Sequence, residues 1–169
     1  MLTYFTFIWP DDEHALPISS SFWAESAKGS YFIIDFYPTA DCICDIPYLE
    51  KYLEPLEDVY SEGKKHFPDI SGRDPNWFRA MVSPYYINAD FHPSTKQTQD
   101  RLMKLTIDYL NIYYSLWEKD EPSDPESMKS LNKRKNAIRQ IMRDKDPGGP
   151  MIEHAVGKKL GGLSIRALL

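Results

Sequence analysis

Ser30-Tyr31-Phe32-Ile33-Ile34-Asp35-Phe36-Tyr37 is the stretch on which the fold turns. Strict alternation puts Tyr31, Ile33, Asp35 and Tyr37 on one side and Phe32, Ile34 and Phe36 on the other. Both sides are largely apolar, so this strand needs cover above and below, and the fold class is an α/β sandwich of layers. Upstream, Leu2 to Trp9 is rich in β-branched and aromatic residues and is stopped by Pro10, which predicts a first strand. A second extended stretch runs from about Pro17 to Ala24. The Lys28-Gly29 pair supplies the turn into the third, and the three form an antiparallel meander.

Downstream the period changes. Tyr48, Leu49, Tyr52, Leu53, Leu56, Val59 and Tyr60 recur at three- and four-residue spacing from about Pro47, with Pro55 placed to kink or interrupt the helix. Residues 66–75 are loop. Met81 to Ile87 predicts a fourth strand, which Pro84 confines to an edge or a bulge. Ser94-Thr95-Lys96-Gln97 is a capping box that opens the longest helix, whose apolar stripe includes Leu102, Leu105, Tyr109, Tyr113 and Trp117. A basic helix runs from about Met128 to Asp144. Asp146-Pro147-Gly148-Gly149-Pro150 breaks it, and a last short helix leads to Leu169. No repeat or second domain interrupts residues 1–169.

Aromatic residues make up 14% of the chain, enough to fill a core or to line a pocket for a large flat ligand. No apolar run is long enough to span a bilayer. The first residues lack the basic leader and small-residue cleavage site of a signal peptide. Cys42 and Cys44 do not have zinc-site spacing and read as reduced thiols in a loop, suited to a reducing compartment. The net charge of −5 is uneven. Residues 129–169 carry ten Lys or Arg against Asp144, Asp146 and Glu153. That surface fits an acidic protein partner. It holds no aromatics to stack bases, which argues against nucleic acid.

Several strings, in order, resemble the ferredoxin-dependent bilin reductases. They are Phe7-Ile8-Trp9-Pro10 with Leu16-Pro17-Ile18; Ile33-Ile34-Asp35-Phe36-Tyr37-Pro38; Tyr48-Leu49-Glu50-Lys51-Tyr52-Leu53 with His66-Phe67-Pro68-Asp69; and Trp77 through Ser83-Pro84-Tyr85-Tyr86. The last is Arg143-Asp144-Lys145-Asp146-Pro147, leading through Pro150-Met151 to Val156-Gly157. The resemblance implies an α/β/α sandwich with a central antiparallel sheet, an open bilin pocket between the sheet and the C-terminal helices, and no tightly bound cofactor. It also implies reduced ferredoxin as electron donor, docked on Lys133, Arg134, Lys135 and Arg139. It leaves the family's front strands missing, so the sheet is smaller or a protein partner completes its edge.

Members of that family deliver protons to a reduced linear tetrapyrrole from pocket carboxylates, usually with a histidine. Asp146 matches the C-terminal carboxylate and is the candidate catalytic residue. It is equally an Asp-Pro turn that ends a helix. The strand carboxylate falls on Phe22, the histidine on Phe5 and the propionate-holding arginine on Asn88. With Ser83, Tyr85 and Arg143, these three form the candidate bilin-binding set. Asp35 reads as hydrogen-bonded scaffold. The histidines at 14, 66, 92 and 154 fall in loops or the last helix, and nothing in the sequence selects any of them.

Three functions follow from the resemblance. The favoured one is a non-catalytic derivative, a tetrapyrrole-binding or structural subunit of a photosynthetic or plastid complex. Another is an active reductase of a biliverdin-type pigment that uses Asp146. A third is a bilin lyase or chaperone. The implied location is a plastid stroma or a cyanobacterial-type cytoplasm.

Overall fold

A computed structural model of the chain describes residues 2–27, 29–92 and 94–168. Four strands form one antiparallel sheet in the order β1-β2-β3-β4: β1 Leu2–Ile8, β2 Ile18–Ser26, β3 Gly29–Tyr37 and β4 Ile87–Phe91. The meander is the expected one. Lys28, expected in the turn between β2 and β3, lies outside the described residues, as do Met1 and Leu169. Gly29 enters β3 at a φ of 138°, where a Cβ would strike the His92 ring, so glycine is required there.

The alternation of β3 sorts the two layers. Phe32, Ile34 and Phe36 join Ile87, Ala89 and Phe91 of β4 in the main core. That core is closed by α1 (Ile46–Tyr52), α2 (Glu57–His66) and α4 (Lys96–Lys119). Phe36 meets Tyr109 and Tyr113 edge-on at 5.7 and 5.4 Å between centroids, favourable aromatic geometry. Pro55 interrupts the helix as expected, and a single 3-10 turn (Glu54–Leu56) separates α1 from α2. On the other side Ile18 and Tyr37 pack with Met81 and with Ile138 and Met142 of α5, Pro125–Lys145. The sheet is therefore covered on both sides, the second only partly.

Three expectations change. Met81 to Ile87 is not a strand. Asn76–Arg79 forms the short helix α3, Ser83 to Tyr86 is a turn closed by Tyr86 N–H to Ser83 C=O, and β4 starts at Ile87. The Ser83 N–H is taken by the Asp35 carboxylate at 2.8 Å and Pro84 has none to give, so no ladder can form. The box opening α4 is one residue later than read. Thr95 caps Thr98 and receives its hydroxyl in return, while Ser94 accepts from Gln99. Finally, Gly148 begins a helix rather than a loop: α6 (Gly148–Val156) and α7 (Lys158–Leu168) follow α5. The side chains of Met151 and Val156 lie outside the described residues.

Gly63 marks where α2 presses closest to its neighbours. A Cβ there would come within 2.8 Å of the Ile87 side chain and 3.2 Å of Leu105. Gly63→Val should cost about 2 kcal/mol or more in urea denaturation, since overpacking outweighs any gain in helix propensity. Gly72→Ala, with nothing near it, should shift stability by less than about 0.5 kcal/mol. Equal effects at the two sites would refute this packing.

Candidate functional site

The partly covered face is built by register. Phe5 pairs with Phe22, Phe22 with Ile33 and Ile33 with Asn88. These four residues form one row across all four strands, and alternation points them to the side that α5 covers at one end. Phe5, Phe22 and Ile33 are half-buried and Asn88 is buried. Tyr31 stands edge-on to Phe22 at 5.9 Å, and Phe5 to Phe7 at 6.2 Å. The result is a flat aromatic floor with no ionisable group along its central row. Sequence reading named Phe5, Phe22 and Asn88 separately; the structure makes them one surface.

A polar corner borders this floor. Asp74 accepts the Tyr86 hydroxyl at 2.9 Å and the Asn88 amide at 2.6 Å. Burial, then the Asp74 charge, push the Tyr31 hydroxyl up to about 12. Burial and the hydrogen bond to Asp74 raise Tyr86 further still. Both hydroxyls therefore stay protonated at neutral pH, and that of Tyr86 donates to Asp74. Sequence reading missed Asp74 and Tyr86, because the path of the 67–86 segment leaves no periodic trace. Tyr31 was legible in the alternation of β3.

Asp146 follows the last turn of α5 and remains exposed. Its N–H bonds to Met142 C=O, and its Oδ1 accepts the Gly148 N–H at 2.7 Å. It therefore is the helix-ending turn. Its charge also bears on Tyr31 and Tyr37, which puts it at the rim of the same face. Arg143 is exposed one turn earlier.

Two other candidates do not reach the floor. Ser83 is buried scaffold, giving its N–H and its hydroxyl to Asp35. Tyr85 turns to the opposite, helix-covered side, where its ring meets Tyr60 and its C=O accepts the Tyr109 hydroxyl at 2.8 Å. The turn at 83–86 replaces strand alternation there, and Tyr86 takes the place expected of Tyr85.

The expected basic docking face is also thinner than the sequence implies. Lys135 is 1% exposed, and its ammonium binds the carbonyls of Asp11 and His14 at 2.6 and 3.3 Å. Burial lowers its pKa from the ordinary lysine value. Arg134 donates to Pro38 C=O, and Arg139 stacks on Trp9 at 4.5 Å. Of the four, Lys133 alone stands clear in solvent. Among the described residues no cluster of His, Cys, Asp or Glu could hold a metal ion, and no helix is long and apolar enough to cross a membrane.

The sequence profile of the ferredoxin-dependent bilin reductases matches residues 6–169. No curated protein matches the chain. Among solved structures, phytochromobilin synthase from tomato, determined in complex with biliverdin, shares the fold at a TM-score of 0.86 and 22% identity. The alignment covers 94% of this chain and 56% of that one, so this chain spans little more than half the length of its structural relative.

Asp35, on the same side of β3 but sealed from solvent and outside the row, gives the fold a pH signature. Fully buried on β3, its carboxyl is raised to about 7 by desolvation, against the opposing hydrogen bonds from Ser83 and the Phe36 N–H. The folded chain holds this proton to near neutrality while the unfolded chain releases it near pH 4. The site's contribution to stability is thus full below about pH 4 and lost as pH rises toward 7. Asp35→Asn, neutral throughout, should gain on the wild type by up to about 4 kcal/mol between pH 4 and 7.5. Urea denaturation at several pH values checks this, and a difference that does not change with pH would refute it.

Proposed function

The chain belongs to the ferredoxin-dependent bilin reductase family, and on that premise we propose that it holds a linear tetrapyrrole against the open sheet face without reducing it. One observation carries this reading: the row Phe5–Phe22–Ile33–Asn88. It places aromatic and neutral side chains where the family resemblance puts a histidine, a carboxylate and an anion-holding arginine. A flat conjugated pigment gains dispersion and burial on such a floor. Tyr31 and Asn88 supply neutral polar contacts at one border. What the row lacks is a proton source beside the pigment, and bilin reduction needs one at each electron step.

Biliverdin, the ligand of the tomato relative, is the natural first pigment to try. An acidic ferredoxin would find Lys133 and Arg143 on α5, a weaker patch than a full basic helix face offers. The implied setting is a plastid stroma or a cyanobacterial-type cytoplasm, as a pigment-holding part of a photosynthetic assembly. The free thiols of Cys42 and Cys44 suit its reducing conditions.

A second reading, an active reductase, is favoured by Asp146. It stays exposed at the rim, with Gly148 engaging one of its carboxylate oxygens. The two readings separate in one experiment. On titration with biliverdin the absorbance should shift and saturate, and anaerobic reduced ferredoxin should then leave the spectrum unchanged. Asp146→Asn should alter pigment affinity by less than about threefold. Appearance of a reduced bilin that Asp146→Asn abolishes would establish the enzyme. No shift with biliverdin would remove both readings.

A further inference from the structure

A concavity lies away from the aromatic floor, on the helix side of the sheet. It is a cleft of about 400 Å³ between the 9–16 loop and the last turns of α4, walled by Trp9, Leu16, Tyr113, Tyr114 and Trp117, with His14 in its lining. Trp117 is 57% exposed and Tyr114 52%, a large aromatic area for a surface position.

His14 is held rather than loose. Its Nδ1 lies 3.0 Å from Asp120 Oδ2, while the other oxygen of Asp120 accepts from the Lys51 ammonium at 2.7 Å and the Tyr52 hydroxyl at 2.5 Å. The Asp120 side chain is fully buried. Against the upward push of burial, bonds from Lys51, Tyr52 and His14 keep its carboxyl below the ordinary range. An ionised carboxylate only accepts, so in an uncharged imidazole the contact selects the tautomer with its proton on Nδ1. That leaves Nε2 as an acceptor, and among the described residues it has no hydrogen-bond partner. Three separate segments, the 9–16 loop, α1 and the end of α4, are thus tied together around one oriented ring beside an aromatic cleft.

We propose that this cleft is a ligand site for a flat one- or two-ring aromatic compound carrying a phenolic O–H or ring N–H, which donates to His14 Nε2 while its rings lie against Trp117 and Tyr114. The volume is at the small end of ordinary ligand pockets and suits that size. A single oriented acceptor in an apolar wall discriminates strongly between ligands with and without the matching donor.

The probes are 2-naphthol and 2-methoxynaphthalene, which differ by replacement of the O–H hydrogen with a methyl group. Binding to the intact chain is followed by tryptophan fluorescence and by the imidazole NMR signals of His14. Naphthol should bind saturably at one site, at least tenfold tighter than its methyl ether, with a shift of the His14 ring signals. His14→Ala should reduce that preference to within about twofold. Trp117→Ala, at an exposed position with little risk to folding, should weaken both probes together. Equal affinity for the two probes, a preference that survives His14→Ala, or no saturable binding would each overturn the proposal.

Discussion

The Asp35 carboxyl is fully buried near the end of β3, and the chain meets its need by bringing Ser83 across 48 residues of sequence. The Ser83 N–H and hydroxyl both point to it. A buried carboxyl without donors costs several kcal/mol, so this contact is close to obligatory. It pins the 83–86 turn to the sheet, and the turn fixes where β4 can begin. From Ile87 onward the register with β3 follows, which sets Asn88 opposite Ile33 and completes the aromatic floor. Tyr86, thrown to the same side by the turn, reaches Asp74. The position of β4, the polar corner and the neutral border of the floor all depend on one satisfied carboxyl group.

What could be read in the sequence follows from how local each signal is. The alternation in Ser30 to Tyr37 stated both faces of the sheet, and the structure keeps every assignment. The spacing of Leu102, Leu105, Tyr109 and Tyr113 gave α4 in the same way. Failure came where the deciding partner is distant. Met81 to Tyr86 has strand-like composition, but Asp35 claims the amide it would need for a ladder. The basic residues of α5 looked like a single surface, yet Lys135 is drawn inward by carbonyls of the 11–14 loop, which no local pattern announces. His14 offered no signal at all, since its meaning comes from Asp120, 106 residues on.

Lys135 also shows how the second layer is held. Burying a lysine is tolerable only with its ammonium satisfied, and here two backbone carbonyls do most of that, with Asp12 at 4.0 Å adding charge. Arg134 on Pro38 C=O and Arg139 over Trp9 add two more ties between α5 and the loops around the sheet. Of the seven Lys and Arg that α5 carries, Arg134, Lys135 and Arg139 are turned inwards, as anchorage. The same anchorage places Met142 and the Asp146 turn over the sheet, so charge that looked like a docking feature acts first as a positioning one.

The two departures in the centre of the floor are one change in physical terms. Family resemblance puts a histidine at Phe5 and a carboxylate at Phe22, and the register makes these two positions direct cross-strand partners. A facing histidine and carboxylate support each other by charge and hydrogen bonding. Removing either alone would leave the other on a half-buried apolar floor without its partner, at a cost of a few kcal/mol. Replacing both with aromatic residues removes that cost and adds a favourable cross-strand contact. Asn88, whose amide donates to Asp74 at 2.6 Å, closes the row with a neutral hydrogen-bonded group. On the reading proposed above, the row is therefore one mutually consistent apolar platform rather than three independent positions.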